Sequence, residues 1–339
     1  MQKLSLILNR ILLATPTLLG VVIVAFVLTR SLPGDPAVYF AGISADSESI
    51  ARVRQDLGLD KSVFHQFVAY CQNVINGDLG VSLNTGQPVM HELATRFPAS
   101  LELTLTGLFL AIVISIPLGI LAALKPNSWV DHACRIFVTL GASTPIFFSG
   151  LFLVFVFYYL LGWAPSPVGR LDFIFIPPPY VTGFYTIDAL IAGDYETFGA
   201  AWKQIVLPAV TLALFALAPI ARMTRSSMLT ALGSEYVKAA RANGISSRKV
   251  VFVYALRNAS LPLLTIMGLV FSYLLGANVL VEKVFAWPGI GSFAIDALVA
   301  SDYAAVQGFI LTMALLFVAL NLFIDILYTL IDPRVGIDG

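Results

Sequence analysis

An all-α protein that crosses a membrane several times is the fold class this sequence predicts, and three observations carry the prediction. Of its 339 residues 58% are hydrophobic and only 12% charged, with mean hydropathy +0.87, which is more apolar surface than a soluble domain of this size can bury. Six stretches run uncharged over about the length a helix needs to cross a bilayer: Ile11–Thr29, Leu103–Leu124, Ile136–Ala164, Gln204–Ala221, Asn258–Val281 and Ala304–Ile324. These stretches are apolar all round, which excludes a transmembrane barrel, whose strands alternate apolar and polar residues.

Taken in order, residues 1–30 hold a short basic start and the first span. No small-x-small cleavage pattern follows that span; Ser31-Leu32-Pro33-Gly34-Asp35-Pro36 reads as a turn. The span is expected to be a retained anchor. Residues 31–99 form a first external loop too long to be a bare connector, with a polar helix over Ser47–Leu57 and an amphipathic one over Val63–Asn76. That second helix reads either as a platform for an external protein or as a lid on the bundle or the lipid interface. Residues 100–232 hold spans two to four. Within them the second external loop, 165–203, carries Pro177-Pro178-Pro179 and reads as a stiff, ordered cap. Residues 233–261 are a polar cytoplasmic segment, and 262–339 hold spans five and six. Trp287 in the third external loop reads as an interface anchor. The fourth run is the shortest and is expected to extend past Arg222, whose long side chain reaches the interface.

Lys and Arg placement orients the chain. With the N-terminus inside, the cytoplasmic side carries 12 bases against four acids (Asp131, Glu235, Asp332, Asp338), while the outside carries eight bases and most of the acids. Both termini are therefore expected in the cytoplasm. Cys71 and Cys134 fall on opposite sides and cannot pair within the chain; both read as buried structural thiols.

The most telling stretch is 234–262, SEYVKAARANGISSRKVVFVYALRNASLP. It places five bases and one acid between two membrane-length runs where a short turn would suffice. Ser234 suits an N-cap, Glu235 suits the first turn, and Gly244 suits a left-handed stop. The spacing predicts a helix with Tyr236, Val237, Ala239, Ala240 and Asn243 on one face and Lys238 and Arg241 opposite. Ser246 or Ser247 then caps a second helix running into the fifth span. A short helix with small residues and one aromatic can dock into a partner's cleft; the alternative is an interfacial helix whose bases touch lipid phosphates.

The run Ala239-Ala240-x-x-x-Gly244 resembles the coupling loop of permease subunits of binding-protein-dependent ABC importers. The general pattern has Glu where this chain has Lys238, and Ile-x-Leu-Pro where it has Tyr254-Ala255-Leu256-Arg257. The chain is closer to the dipeptide/oligopeptide/nickel branch, which it resembles in Tyr236-Val237, Ala240-Arg241-Ala242, Gly244 and Ala255-Leu256-Arg257-Asn258-Ala259-x-Leu261-Pro262. The likeness extends through Leu32-Pro33-Gly34-Asp35-Pro36, Gly77-Asp78-Leu79-Gly80-x-Ser82, Arg222-Met223-Thr224-Arg225-Ser226-Ser227-Met228, Val284-Phe285-x-Trp287-Pro288-Gly289-x-Gly291 and Asp302-Tyr303. Its long first external loop is similar to that of the first of the two permease subunits.

The resemblance implies a six-helix, type I ABC importer permease fold in a bacterial inner membrane. It also implies a second homologous permease, two cytoplasmic ATP-binding subunits and an extracytoplasmic solute-binding protein. Glu235, Tyr236, Lys238, Ala239, Ala240, Arg241, Asn243 and Gly244 would couple the chain to the ATPases. The implied substrate is a di- or oligopeptide, with nickel chelates, glutathione or short sugars as alternatives. ATP and magnesium belong to the partner subunits: the chain has no G-x-x-x-x-G-K-[ST] to cradle phosphates, no H-E-x-x-H and no G-x-S-x-G. No cofactor, metal site or nucleic-acid partner is expected, and membrane lipid is. A self-contained secondary transporter would show broken helices in repeated halves or intramembrane ion ligands, and neither is seen. Asp325, in the last turns of the sixth span, reads as a functional acid or as the structural partner of Arg222 or Arg225, while Glu102 and Glu282, near span ends, read as acids that snorkel or line the outer mouth.

Overall fold

The computed structural model describes residues 15–27, 36–41, 45–56 and 58–331. Its elements are helical, and among the described residues the one extended pairing is an isolated bridge between Val81 and Pro88. Helices α1 (Thr15–Val27), α2 (Pro36–Ala41), α3 (Ser47–Asp56) and α4 (Val63–Ile75) precede α5 (Val89–Leu124), α6 (Trp129–Ala142) and α7 (Ile146–Leu153). Then come α8 (Tyr185–Ile191), α9 (Tyr195–Leu232), α10 (Glu235–Ala242) and α11, continuous over Ser247–Val284, followed by α12 (Ile290–Val299) and α13 (Tyr303–Ile331). Among the described residues four helices are long and apolar enough to cross a membrane: α5, α9, α11 and the Tyr303–Ile324 stretch of α13. The described part of α1, at 1.5 Å per residue, accounts for roughly 20 Å.

The third span departs from the straight run expected over Ile136–Ala164. Helix α6 and the segment Ile146–Leu160 meet at 96°. The break falls at Ser143–Pro145, where proline fixes its own φ, lacks an N–H and pushes the preceding residue out of the helical region. Beyond it α7 passes into a π-helical stretch over Val154–Leu160. Prolines elsewhere stay inside continuous helices: Pro98 and Pro117 in α5, Pro208 and Pro219 in α9, Pro262 in α11.

Two compact units emerge, Met1–Phe97 with Gly289–Leu322, and Pro98–Pro288 with Phe323–Gly339. In the first, Val89, Leu93, Ile290, Phe293, Ala297 and Ala305 form the core. Phe26 of α1 packs edge-on against Phe67 of α4, centroids 5.3 Å apart. Two of the resembling motifs meet here: buried Asp302 accepts from Ser82 Oγ at 2.5 Å and from Asn84 N at 3.3 Å.

In the second unit α5 and α11 pack along α9. Gly107 and Gly119 let α5 come close, since a Cβ on Gly119 would lie 2.5 Å from Thr224 Cβ. The end of this unit around Glu102 and Glu282 buries several polar side chains. Glu102, expected at a span end free to snorkel or line a mouth, is instead buried; it pairs with Arg170 at 2.6 Å and accepts from Thr186 N and Oγ1 at 2.9 and 2.6 Å. Glu282 is buried as well, accepting from Ser100 Oγ at 2.5 Å and Asn278 Nδ2 at 2.9 Å. A buried carboxylate needs such donors because the bilayer interior supplies none.

Arg170 stacks 3.5 Å from the centre of the Tyr185 ring and donates to Gly183 O, which ties the second external loop down. Asp188 holds the same loop from within. Burial opposes its ionisation, but Val181 N, Thr182 N, Thr182 Oγ1 and Gly183 N all donate to its carboxylate and hold its pKa below the ordinary value of 3.8. Trp287 is a core residue rather than an interface anchor: it is 1% exposed, with its indole N–H donating to Ala99 O at 2.9 Å. With that partner in place, the ring's large apolar area favours the interior.

Candidate functional site

Helix α10 begins after Ser234, whose backbone (φ −74°, ψ 155°) is that of an N-cap. Its hydroxyl does not cap the helix, however; it donates back to Ala231 O at 2.5 Å, the local alternative that serine always offers. Glu235 sits in the first turn and pairs with Lys238 at 2.8 Å on an exposed surface. Such a pair is worth little for stability, so it shapes the surface more than it holds the helix.

The C-terminal end is sharply defined. Gly244 has φ +73°, its N–H bonds to Arg241 O at 3.0 Å, and Ile245 N bonds to Ala240 O at 3.1 Å. This is a Schellman stop with its usual apolar contact: Ile245 packs on Val237, Ala240 and Val250 together with Leu232 and Tyr254. A Cβ on Gly244 would meet nothing within 4 Å. Glycine is therefore required there by backbone conformation and not by crowding.

Burial divides the expected docking face. Val237 and Ala240 point inward, while Glu235, Tyr236, Lys238, Ala239, Arg241, Asn243 and Gly244 are exposed. Tyr236, Ala239 and Asn243 thus lie with the charged residues on the outer surface, not apart from them with Val237 and Ala240. The reason is that this eight-residue helix needs its own footing, and two small apolar side chains supply it against the start of α11. The outer surface offers one aromatic ring, 42% exposed, among small and charged groups.

Beyond the turn, Ser246 and Ser247 begin α11, which includes a π-helical stretch over Val250–Ala255 and continues through Pro262 to Val284. Ser246 occupies the N-cap position without a side-chain capping bond. Asn258 Nδ2 donates to Tyr254 O at 2.8 Å in the turn before the proline. Helix α10 thus rests on the start of a helix of 38 residues, about 57 Å long.

Arg222 and Arg225, the two arginines read as partners for Asp325, differ in their described contacts. Arg225 is committed to Asp131: its Nε and a terminal nitrogen donate to the two carboxylate oxygens at 2.8 and 2.6 Å. Arg222 Nε bonds only to Ala218 O within its own helix, at 3.2 Å. The side chain of Asp325 lies outside the described residues, as do Leu32–Asp35 of the first motif. Asp131 carried a sequence signal: it is the only acid in the turn between spans two and three, on the side shared with Arg225.

Comparison with known proteins gives two family models that together span nearly the whole chain. "Binding-protein-dependent transport system inner membrane component" matches residues 115–337, and "Binding-prot-dependent transport system membrane comp, N-term" matches residues 3–104. The chain is 44% identical over 320 residues to the probable D,D-dipeptide transport system permease protein DdpB of Escherichia coli strain K12, covering 94% of each. It is 44% identical over 333 residues to the di/tripeptide transport system permease protein DppB of Pseudomonas aeruginosa strain UCBPP-PA14, covering 98% of each. The glutathione transport system permease protein GsiC of Shigella flexneri serotype 5b is 38% identical over 332 residues, covering 98% of this chain and 99% of that one.

Proposed function

The chain belongs to the family of inner-membrane components of binding-protein-dependent transport systems, and from that premise we propose that it is one of two homologous permease subunits of an ATP-driven peptide importer. The observation that carries the reading is the exposed helix α10, closed by the Gly244 turn and seated on the first turns of α11. In this reading a cytoplasmic ATPase grips Tyr236, Lys238, Ala239, Arg241, Asn243 and Gly244, and Glu235 sets the position of Lys238. Closure of the two ATPases moves α10, and the Val237–Ala240–Val250 contact passes that motion to α11. The π-helical stretch and Pro262 supply the places where α11 can bend. The chain itself contributes no phosphate-binding loop.

In the same reading the chain crosses the inner membrane six times with both termini in the cytoplasm. The bent α6–α7 pair forms one crossing, and a solute-binding protein delivers substrate from outside. A short peptide is the favoured cargo because relatives named for dipeptides and di/tripeptides align over 94–98% of this chain. Glutathione is the second reading, supported by the relative named for it; it is itself a small peptide.

Reconstitution tests both layers. Proteoliposomes holding this chain, its partner permease, the ATPases and the binding protein should take up labelled dipeptide with ATP, and vesicles holding this chain alone should not. Sustained uptake by the chain alone would establish a secondary transporter instead. Uptake of labelled glutathione with no dipeptide uptake would move the substrate to the second reading.

A further inference from the structure

A small cavity of about 80 Å³ opens between α5, α6 and α9 in the second unit. Leu118, Ala122 and Val138 wall it, and Arg135, Arg222 and Arg225 rim it. The volume is several times the roughly 10–15 Å³ that one water needs. It suits a small headgroup fragment and not a whole lipid.

Among the described residues the charges beside it are unbalanced, with three guanidinium groups and one carboxylate. That carboxylate, Asp131, is fully buried and already occupied, accepting two bonds from Arg225 and one from Asn127 N at 3.0 Å. Arg135 reaches it only at 3.5 Å, with half its side chain exposed. Arg222 spends Nε on its own helix, and its two terminal nitrogens have no acceptor among the described residues. Two cations thus border an apolar-walled cavity with terminal guanidinium nitrogens that find no acceptor among the described residues.

Position identifies the ligand. Arg222 directly follows the uncharged run Gln204–Ala221, Arg135 directly precedes Ile136–Ala164, and the apolar wall lies in the last two turns of α5 before Lys125. Charged residues border all three apolar runs here, and long arginine side chains at such borders reach toward the level of lipid phosphates. A phosphodiester anion matches the guanidinium forks, and the apolar wall suits the glycerol carbons attached to it. We propose that Arg135, Arg222 and the cavity beside them bind the phosphate of an anionic phospholipid headgroup, with the Arg225–Asp131 pair as the fixed floor of the site. The proposal does not depend on which peptide is carried.

Lipid titration of the assembled transporter, read by native mass spectrometry, tests it. Phosphatidylglycerol should bind more tightly than zwitterionic phosphatidylcholine. Arg222→Gln should weaken phosphatidylglycerol by about fivefold, the factor one interfacial cation carries, and Arg222→Lys should keep most of the affinity. Arg135→Gln, on a different helix, should give a similar loss, and the same spectra report subunit stoichiometry, so misassembly is visible. Equal binding of the two lipids, or phosphatidylglycerol binding unchanged in both glutamine variants with intact stoichiometry, overturns the proposal. A third arm adds glycerol 3-phosphate: if the soluble ester binds as well as the lipid and displaces it, the site is one for soluble phosphate esters and the lipid assignment fails.

Discussion

The Gly244 turn gives the sharpest test of the coupling reading, because the structure separates two costs that a glycine substitution usually mixes. At φ +73° any residue with a Cβ carries the left-handed penalty, about 1 kcal/mol for alanine and less for asparagine, whose side chain tolerates this region. No steric cost adds to it within the subunit, since a Cβ there meets nothing within 4 Å. One kcal/mol is about a fivefold change in the population of the closed turn. An eight-residue helix has little intrinsic stability to absorb it. The membrane-spanning helices should be untouched, because their packing lies away from this turn.

The substitutions to compare are Gly244→Ala, Gly244→Asn and Gly244→Asp, at matched expression, in ATP-driven dipeptide uptake and in co-purification of the ATPase. If the ATPase needs the turn's conformation, uptake should rank glycine, asparagine, alanine. If it needs the bare surface, the larger asparagine should be worse than alanine. Aspartate should be worst in either case, adding a carboxylate at the negative end of the helix dipole, and should reduce uptake by tenfold or more. Transport at the parental rate for Gly244→Asp would show that residues 234–244 are not the coupling element.

Arg241→Ala should give a milder uptake defect, within about tenfold, because it removes one exposed cation and leaves the turn intact; ATPase co-purification at elevated salt reads the loss. A membrane-impermeant maleimide added to intact cells should label Cys71 and not Cys134, both being partly exposed and unpaired; labelling of Cys134 alone would invert the topology. Removing one partner of the buried Glu102–Arg170 pair, as in Glu102→Gln, should cost about 3–5 kcal/mol by leaving an uncompensated charge, whereas the double replacement Glu102→Leu with Arg170→Met should recover much of it, as read by thermal unfolding in nanodiscs. The Asp188 carboxylate has its pKa held below 3.8, so its contribution to the second external loop is complete above that value and disappears as pH falls through the lower folded value. Hydrogen-exchange protection at Val181–Gly183, taken relative to the intrinsic rate at each pH, should therefore fall at low pH in the parent, and Asp188→Asn should remove much of that pH dependence.

Periodicity and composition made the helices legible because each depends on its own residues. The Ser47 and Val63 helices, the Asn76-Gly77 and Gly244 stops and the extension of α9 past Arg222 all follow from local rules. What escaped the sequence is where tertiary partners decide. A tryptophan in an external turn is an interface anchor by base composition, but Trp287 becomes core because Ala99 offers it a carbonyl from a helix nearly 190 residues away in sequence. Glu102 and Glu282 read as solvated span ends until Arg170, Thr186, Ser100 and Asn278 are placed around them. The face of α10 was misjudged for a related reason: helical spacing groups Val237 with Tyr236, and only the contact with Val250 shows which of them turns inward.

The same contrast explains why motifs that look weak one by one were informative together. Gly77-Asp78-Leu79-Gly80-x-Ser82 and Asp302-Tyr303 are unremarkable short strings, yet in the fold Ser82 donates to the buried Asp302, joining residues 220 apart. Val284-Phe285-x-Trp287 likewise holds Gly169 through the Phe285 carbonyl at 3.1 Å and Ala99 through the indole. Arg225 of the fourth motif closes on Asp131. Each string is one side of a long-range polar contact whose buried groups must find their partners within the protein. Helix α10 is the exception: its outward residues find few partners among the described residues, and that surplus of exposed surface is what a second protein would use in the proposed reading.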